Sequence, residues 1–238
     1  MDKPKKIAIM QPYFFPYIGY FQLINWADKF VLYNDAQYIK GGWINRNNIL
    51  VNGSKHQFCF SLEKQSAFSK ITERIFDPKK KETEQKKFLK TIQLAYSKAP
   101  YFNLIYPLLE SIQTTYTANL SKSIYNSLKV ICNYIDIKTE LLLSENIPYD
   151  RNADAQNKVI DICLKLNGNR YANSIGGLEL YSKDIFKASG IELNFLKTNP
   201  IKYKQFNNEF IPGLSIIDVL MFNSKEEIKK ILEEYELS

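Results

Sequence analysis

"IMQPYFFPYIGYFQLI", Ile9 to Ile24, is the stretch that decides the fold. It begins at the end of an apolar, β-branched run, Ile7–Met10, which reads as a first strand. It ends in a helical pattern: Tyr17, Tyr20, Phe21 and Ile24 fall at i, i+3, i+4 and i+7, one apolar stripe. Gln11 to Pro16 is then the loop at the strand's carboxyl end, and Pro16 suits the first turn of a helix predicted over Tyr17–Trp26. Gly19, one turn into that helix, costs about 1 kcal/mol against Ala, so it marks a close approach by another backbone or by a ligand. In open α/β sheets ligands bind beyond the carboxyl ends of strands, beside helix N-termini that favour anions. Gln11-Pro12-Tyr13 therefore stands where a site would be. The alternative is that the aromatics are core and Gly19 a packing position.

Further strands are predicted at Phe30–Tyr33, Gln57–Leu62, Thr139–Leu143, Arg170–Asn173 and Glu192–Leu196. Helical stripes separate several of them: Leu104, Ile105, Leu108, Leu109 and Ile112; Ile124, Leu128, Ile131 and Ile135; Val159, Cys163 and Leu166; Ile228, Ile231, Leu232 and Tyr235. This alternation predicts an α/β fold with a Rossmann-like, mainly parallel sheet, one domain over residues 1–238. Two departures are expected. Asn52-Gly53 joins Ile44–Val51 to Lys55–Ser61 as a β-hairpin, and the segment at about 84–136 is a helical insertion. Asp77–Lys87 reads as a polar linker entering a helix.

The chain has 238 residues, 45% hydrophobic and 24% charged, an ordinary globular balance. No apolar run approaches the ~20 residues of a membrane span, and Met1–Lys6 has no long apolar run after it, so neither a span nor a signal peptide is expected and the reading is cytoplasmic. Cys59, Cys132 and Cys163 lie far apart with no CxxC spacing, so neither a zinc site nor a disulfide framework is suggested, and reduced thiols are expected. His56 is the only histidine, which argues against a triad or a histidine metal site and leaves acid–base work to Asp, Glu or Tyr. The net charge of +7 rests on 32 basic against 25 acidic residues. It suits a lysine-rich solvated face, nucleic acid, or the steering of anionic small substrates.

Four constellations hold the candidate site residues. Gln11, Tyr13 and Tyr20 belong to the first. Asp35 and Gln37 follow the second strand, with Trp43, Asn45, Arg46 and Asn47 after them. Arg46 on a half-apolar segment either meets an anion or pairs Asp35 and holds the hairpin. Tyr171 to Gly177, with Tyr181 beyond, reads as strand, polar glycine loop and helix. Ser174, Gly176 and Gly177 there offer backbone N–H groups to a phosphate or carboxylate, or make a plain turn. Ser215 and Asp218 outline a capping box with Asp in place of Glu, or add Asp218 to the site.

These residues, Gln11-Pro12-Tyr13, Pro16, Gly19-Tyr20-Phe21, Asp35, Trp43, Arg46-Asn47, Tyr171–Gly177, Phe210 and Ser215–Asp218, together resemble the WbqC-like protein family, from Ile7 to about Phe222. The resemblance implies a place in bacterial O-antigen and other surface-polysaccharide (lipopolysaccharide) biosynthesis. It implies an amide-forming transferase that adds glycine, or a related acyl group, to the amine of a nucleotide-linked amino sugar. Pro16-x-x-Gly19-Tyr20 is also distantly similar to the HIGH-type nucleotidyltransferases and pantothenate synthetase, which implies ATP, with Mg²⁺, to adenylate a carboxylate. The histidines of that motif fall on Pro16 and Tyr20 here. On this reading Asp35 is the base that deprotonates the amine, Arg46 binds phosphate or the donor carboxylate, and Tyr20 donates a hydrogen bond. Tyr13, Tyr20 and Trp43 stack on a sugar or base. The alternatives are an acyltransferase fed by aminoacyl-tRNA or an acyl-thioester, and a sugar-nucleotide binding protein without catalysis.

Overall fold

The computed structural model describes residues 5–207 and 209–238. The charged start, Met1–Pro4, lies outside them. Strands β1 (Lys6–Met10), β2 (Lys29–Leu32), β5 (Glu140–Leu143), β6 (Arg170–Ser174), β7 (Glu192–Thr198) and β8 (Tyr235–Leu237) form one six-stranded sheet in the order β5-β2-β1-β6-β7-β8. All pairings are parallel except β7 with β8. Counting only the sheet's own strands, this is the order 3-2-1-4-5-6 of doubly wound dinucleotide-binding folds, and the strand order reverses between β1 and β6. β3 (Arg46–Val51) and β4 (Ser54–Cys59) form a separate antiparallel hairpin. Its turn residues Asn52 and Gly53 both have positive φ, +48° and +72°, as a tight two-residue turn requires.

Alternation along the parallel strands covers both sheet faces. Ala8, Phe30, Leu32, Ala172 and Leu196 face a core shared with α1 (Ile18–Trp26), the hairpin, α2 (Lys81–Tyr96), α3 (Phe102–Thr114), α4 (Leu120–Tyr134), α7 (Ile216–Phe222) and α8 (Lys225–Ile231). Ile7, Ile9, Val31, Tyr171, Leu193 and Phe195 face the opposite core, with α5 (Ala155–Lys165) and α6 (Lys183–Ala188).

The opening loop is an anchor in the first core. Phe14 and Phe15 are fully buried. Phe14 packs on Phe60 and Tyr116, and Phe15 stacks on Phe88. Phe15 takes a left-handed backbone, φ +44°, a conformation costing about 1–3 kcal/mol. That turn aims its carbonyl at Asn47 Nδ2 (2.8 Å) and Ser215 Oγ (2.7 Å), which tie β3 and the start of α7 to the loop.

Three expectations are corrected. α1 is buried nearly all round rather than along one stripe, because Gln22 on its far side donates to the carbonyls of Ile231 and Glu234. The last helix ends at Ile231, and Tyr235 belongs to β8, paired with Thr198. Asp218 does not complete a capping box. Ser215 Oγ accepts from Ile217 N, while the Asp218 carboxylate turns inward.

Candidate functional site

A cleft of about 1060 Å³ opens at the carboxyl ends of β1 and β2. Gln11 enters it directly after β1, and Ala36 to Lys40 after β2. Asn45 and Arg46 reach it from the start of β3, and Leu62 to Gln65 from beyond β4. Arg74 arrives at the end of the short 3₁₀ turn Ile71–Glu73. The two chain segments lie side by side: Gln37 bridges Lys70 in antiparallel fashion, and Tyr38 N donates to Ser69 O at 3.0 Å.

The floor of this cleft is cationic. Arg74 is only 6% exposed, stacks its guanidinium 4.4 Å from the centre of the Tyr38 ring and donates through Nη2 to Ser66 O at 2.9 Å. Its Nε is buried without a partner among the described residues, and so is Nε of Arg46. Burial pushes the Tyr38 hydroxyl up from its ordinary pKa, against the downward pull of Arg46 and Arg74. That hydroxyl donates to Asn45 Oδ1 at 2.9 Å, and Asn45 Nδ2 donates to Phe60 O at 2.7 Å, which ties Tyr38 and Asn45 together. Lys40 and Lys64 stand at the edge, and Glu63 is the one carboxylate among the described lining residues. Two arginines and two lysines against one carboxylate make the lining strongly basic, the chemistry that suits an oxyanion.

Of the expected site residues, Gln11, Gln37, Asn45 and Arg46 meet in this cleft, and Trp43 stands on the exposed turn leading into β3. The others lie elsewhere. Asp35 does not pair Arg46. Its carboxylate side chain is 5% exposed and accepts from Arg151 Nε (2.9 Å), Tyr149 Oη (2.7 Å) and Ser144 Oγ. Burial and then the Asp35 hydrogen bond raise the Tyr149 hydroxyl, so Tyr149 stays protonated as a donor. A carboxylate held by three donors positions the Ser144–Glu145 turn; it is poorly placed to take a proton from a substrate.

Tyr20 is buried and donates to the Gln11 carbonyl at 2.9 Å, and Tyr13 lies half-buried against its ring. Asn47 Nδ2 is bound to the carbonyls of Phe14 and Phe15. Tyr171 is core, stacked on Phe186, with Tyr181 against its edge. Asn173 binds the Tyr171 hydroxyl and the Ser174 N–H. Ser174 ends β6, Gly176 and Gly177 lie in the 3₁₀ helix Ile175–Leu180 that follows, and α6 begins only at Lys183. Gly177 packs on the Asn173 side chain, where a Cβ would come within 3.1 Å. Asp218 has no exposure and accepts from Tyr96, Tyr203 and Gln205 at 2.9, 2.7 and 2.6 Å. Tyr20, Tyr171 and Asp218 are thus structural residues, their polar groups engaged inside the fold. Arg74, Tyr38 and Glu63 were not anticipated from the sequence.

The start of α1 does not fit a nucleoside triphosphate. The Pro16 carbonyl accepts from Ile216 N, the Tyr20 hydroxyl is engaged, and the first turn at Gly19 is covered by the Tyr17 ring and Thr198. No step through ATP follows from these residues.

The chain is a mixed α/β protein with a mostly parallel six-stranded sheet, a separate antiparallel hairpin and a basic cleft at the carboxyl ends of β1 and β2. The chain belongs to the WbqC-like protein family, whose model matches residues 11–230. It is 27% identical over 226 residues to the uncharacterized protein Rv1507c of Mycobacterium tuberculosis, covering 92% of this chain and 94% of that one. No solved structure is significantly similar to the chain. No helix among the described residues is long and apolar enough to cross a membrane.

Proposed function

We propose that the chain is an amide-forming transferase that adds glycine, or a related acyl group, to the amine of a nucleotide-linked amino sugar in bacterial surface-polysaccharide biosynthesis. The single observation that carries this reading is the meeting of Arg46 and Arg74 with Lys40 and Lys64 in one cleft at the carboxyl ends of β1 and β2. A diphosphate suits this cluster, because guanidinium groups bind phosphate oxygens with paired, charge-assisted hydrogen bonds. Gln11 and Gln37 line the cleft; the Gln11 amide and the Gln37 amide oxygen suit sugar hydroxyls, while Gln37 Nε2 donates to Ala67 O.

Glu63 takes the role of base. An ammonium must lose its proton before it attacks, and Glu63 lies among the cations that hold the sugar nucleotide. The neutral amine then forms the C–N bond to the donor carbonyl, the bond from that carbonyl to its leaving group breaks with the leaving group keeping the electron pair, and the second proton lost from the nitrogen goes to that leaving group. Asp35 holds the neighbouring turn.

The test is product formation. The protein is incubated with a nucleotide-linked amino sugar and one of three donors: glycine with ATP, glycyl-tRNA, or a glycyl thioester. A product heavier by one glycyl group, at a rate at least 100-fold lower in Glu63→Gln, supports the reading and names the donor. Wild-type protein that binds the sugar nucleotide but makes no amide with any donor makes it a binding protein instead.

A further inference from the structure

Large apolar side chains collect around the mouth of the cleft. The antiparallel run of 36–38 beside 69–71 brings Ile39 and Phe68 to the same end of the paired segments. A turn closed by Gly42 N on Ile39 O (3.2 Å), with Gly41 at φ +87°, then leads to Trp43. Ile39, Trp43 and Phe68 are 57%, 46% and 81% exposed. One exposed apolar residue is ordinary, but a cluster on neighbouring loops is not. Nothing in the core requires them. Phe14, Phe60 and Phe76 fill the space beneath these loops without their help.

The surroundings are basic. Residues 36–46 and 62–74 carry Lys40, Arg46, Lys64, Lys70 and Arg74 against two acids, Glu63 and Glu73. The Glu73 carboxylate is turned back onto Lys70 N. Protruding apolar and aromatic tips ringed by lysines complement an anionic lipid surface. The tips enter the boundary of the acyl chains, tryptophan settles at headgroup depth, and the lysines stay among the phosphates.

We infer that the Ile39–Trp43–Phe68 rim docks the protein on an anionic phospholipid bilayer, with the mouth of the arginine cleft facing the headgroups. The partner is the membrane surface, held peripherally. The inference concerns the rim and does not depend on the reaction proposed above.

The chain carries its own reporter. Trp26 is buried, so a change in tryptophan emission on docking comes from the exposed Trp43. The intact protein is mixed with vesicles of phosphatidylglycerol and phosphatidylcholine, and separately with phosphatidylcholine alone. Sedimentation and emission are both read. Docking predicts cosedimentation with the anionic vesicles at least 10-fold stronger than with the neutral ones, and a blue shift quenched by brominated acyl chains. Phe68→Ser with Ile39→Ser lowers binding at least 10-fold, and Trp43→Phe removes the shift while keeping most of the binding. The double variant's far-ultraviolet circular dichroism and melting temperature establish that it is folded. Absence of binding to anionic vesicles at low salt overturns the inference. So does binding that the folded double variant retains in full, which is lysine attraction without insertion.

Discussion

Arg151, and not Arg46, holds Asp35: its Nε donates to Asp35 Oδ2 at 2.9 Å. The pairing divides two guanidinium groups between two tasks. Arg151 secures the turn beyond β5, with further bonds to the carbonyls of Glu145 and Ile147. Arg46 lines the cleft instead, its buried Nε without a partner among the described residues.

Asp35→Ala removes the acceptor shared by Ser144, Tyr149 and Arg151. Stranding those donors is expected to destabilise the fold by about 2–4 kcal/mol. Arg151→Met costs less, about 1–2 kcal/mol, because the arginine is partly exposed and screened by water. Urea denaturation of both variants measures this. A loss under about 0.5 kcal/mol for Asp35→Ala would remove the positioning role from Asp35 and return it to the list of candidate bases.

The buried Asp218 makes stability depend on pH. Burial raises its pKa above the ordinary carboxylate value, more than its three hydrogen bonds lower it. The folded protein therefore binds this proton more tightly than the unfolded chain does. The stabilisation from protonation is fully present below the unfolded pKa, about 3.9, and is lost as pH rises through the raised folded value. Carboxylates such as Asp154 and Glu227, lowered by their helix-cap hydrogen bonds, have the opposite slope. The comparison is therefore wild type against Asp218→Asn. Wild type is expected to lose stability relative to the variant as pH rises from about 4 to 7. A difference independent of pH would show that Asp218 titrates as an ordinary carboxyl.

Gly19→Ala tests the close approach of α1 to the end of β7. An added Cβ would lie 2.5 Å from Thr198 Oγ1, which itself donates to Gln22 Oε1 at 2.7 Å. Helix propensity favours the alanine by about 1 kcal/mol, and overpacking opposes it by about 1–3 kcal/mol. The thermal midpoint is expected to fall. A rise would mean that Thr198 and Tyr17 move aside without loss.

Most of the sheet was legible because parallel strands buried on both faces read as short apolar runs, as at Ile7–Met10 and Glu192–Leu196. β8 was not, because Tyr235 stands seven residues after Ile228 and continues the helical spacing past the real end at Ile231. Four of the fourteen lining residues were legible: Gln11 and Gln37, polar residues after strands, and Asn45 and Arg46, at the entry to β3. Arg74 was hidden. It comes from a loop with no motif, and only the register of two paired segments sets it beside Arg46. The signal it did carry is that of Arg46: one arginine among apolar neighbours, here Ile71, Ile75 and Phe76. Asp35 and Asp218 misled because a carboxylate at the end of an element looks the same in sequence whether it meets a ligand or a ring of internal donors.

The central claim is that Arg46 and Arg74 together receive the anionic part of a nucleotide-linked amino sugar. The most direct test is isothermal titration of wild type, Arg46→Met, Arg74→Met and Arg74→Lys with nucleoside-diphosphate-linked amino sugars. A saturable wild-type isotherm weakened by salt is expected, with a loss of at least about 10-fold in each methionine variant. Arg74→Lys keeps the charge but not the planar fork and falls between them. Wild-type binding unchanged in folded Arg46→Met and Arg74→Met would contradict the account and move the site away from this cleft.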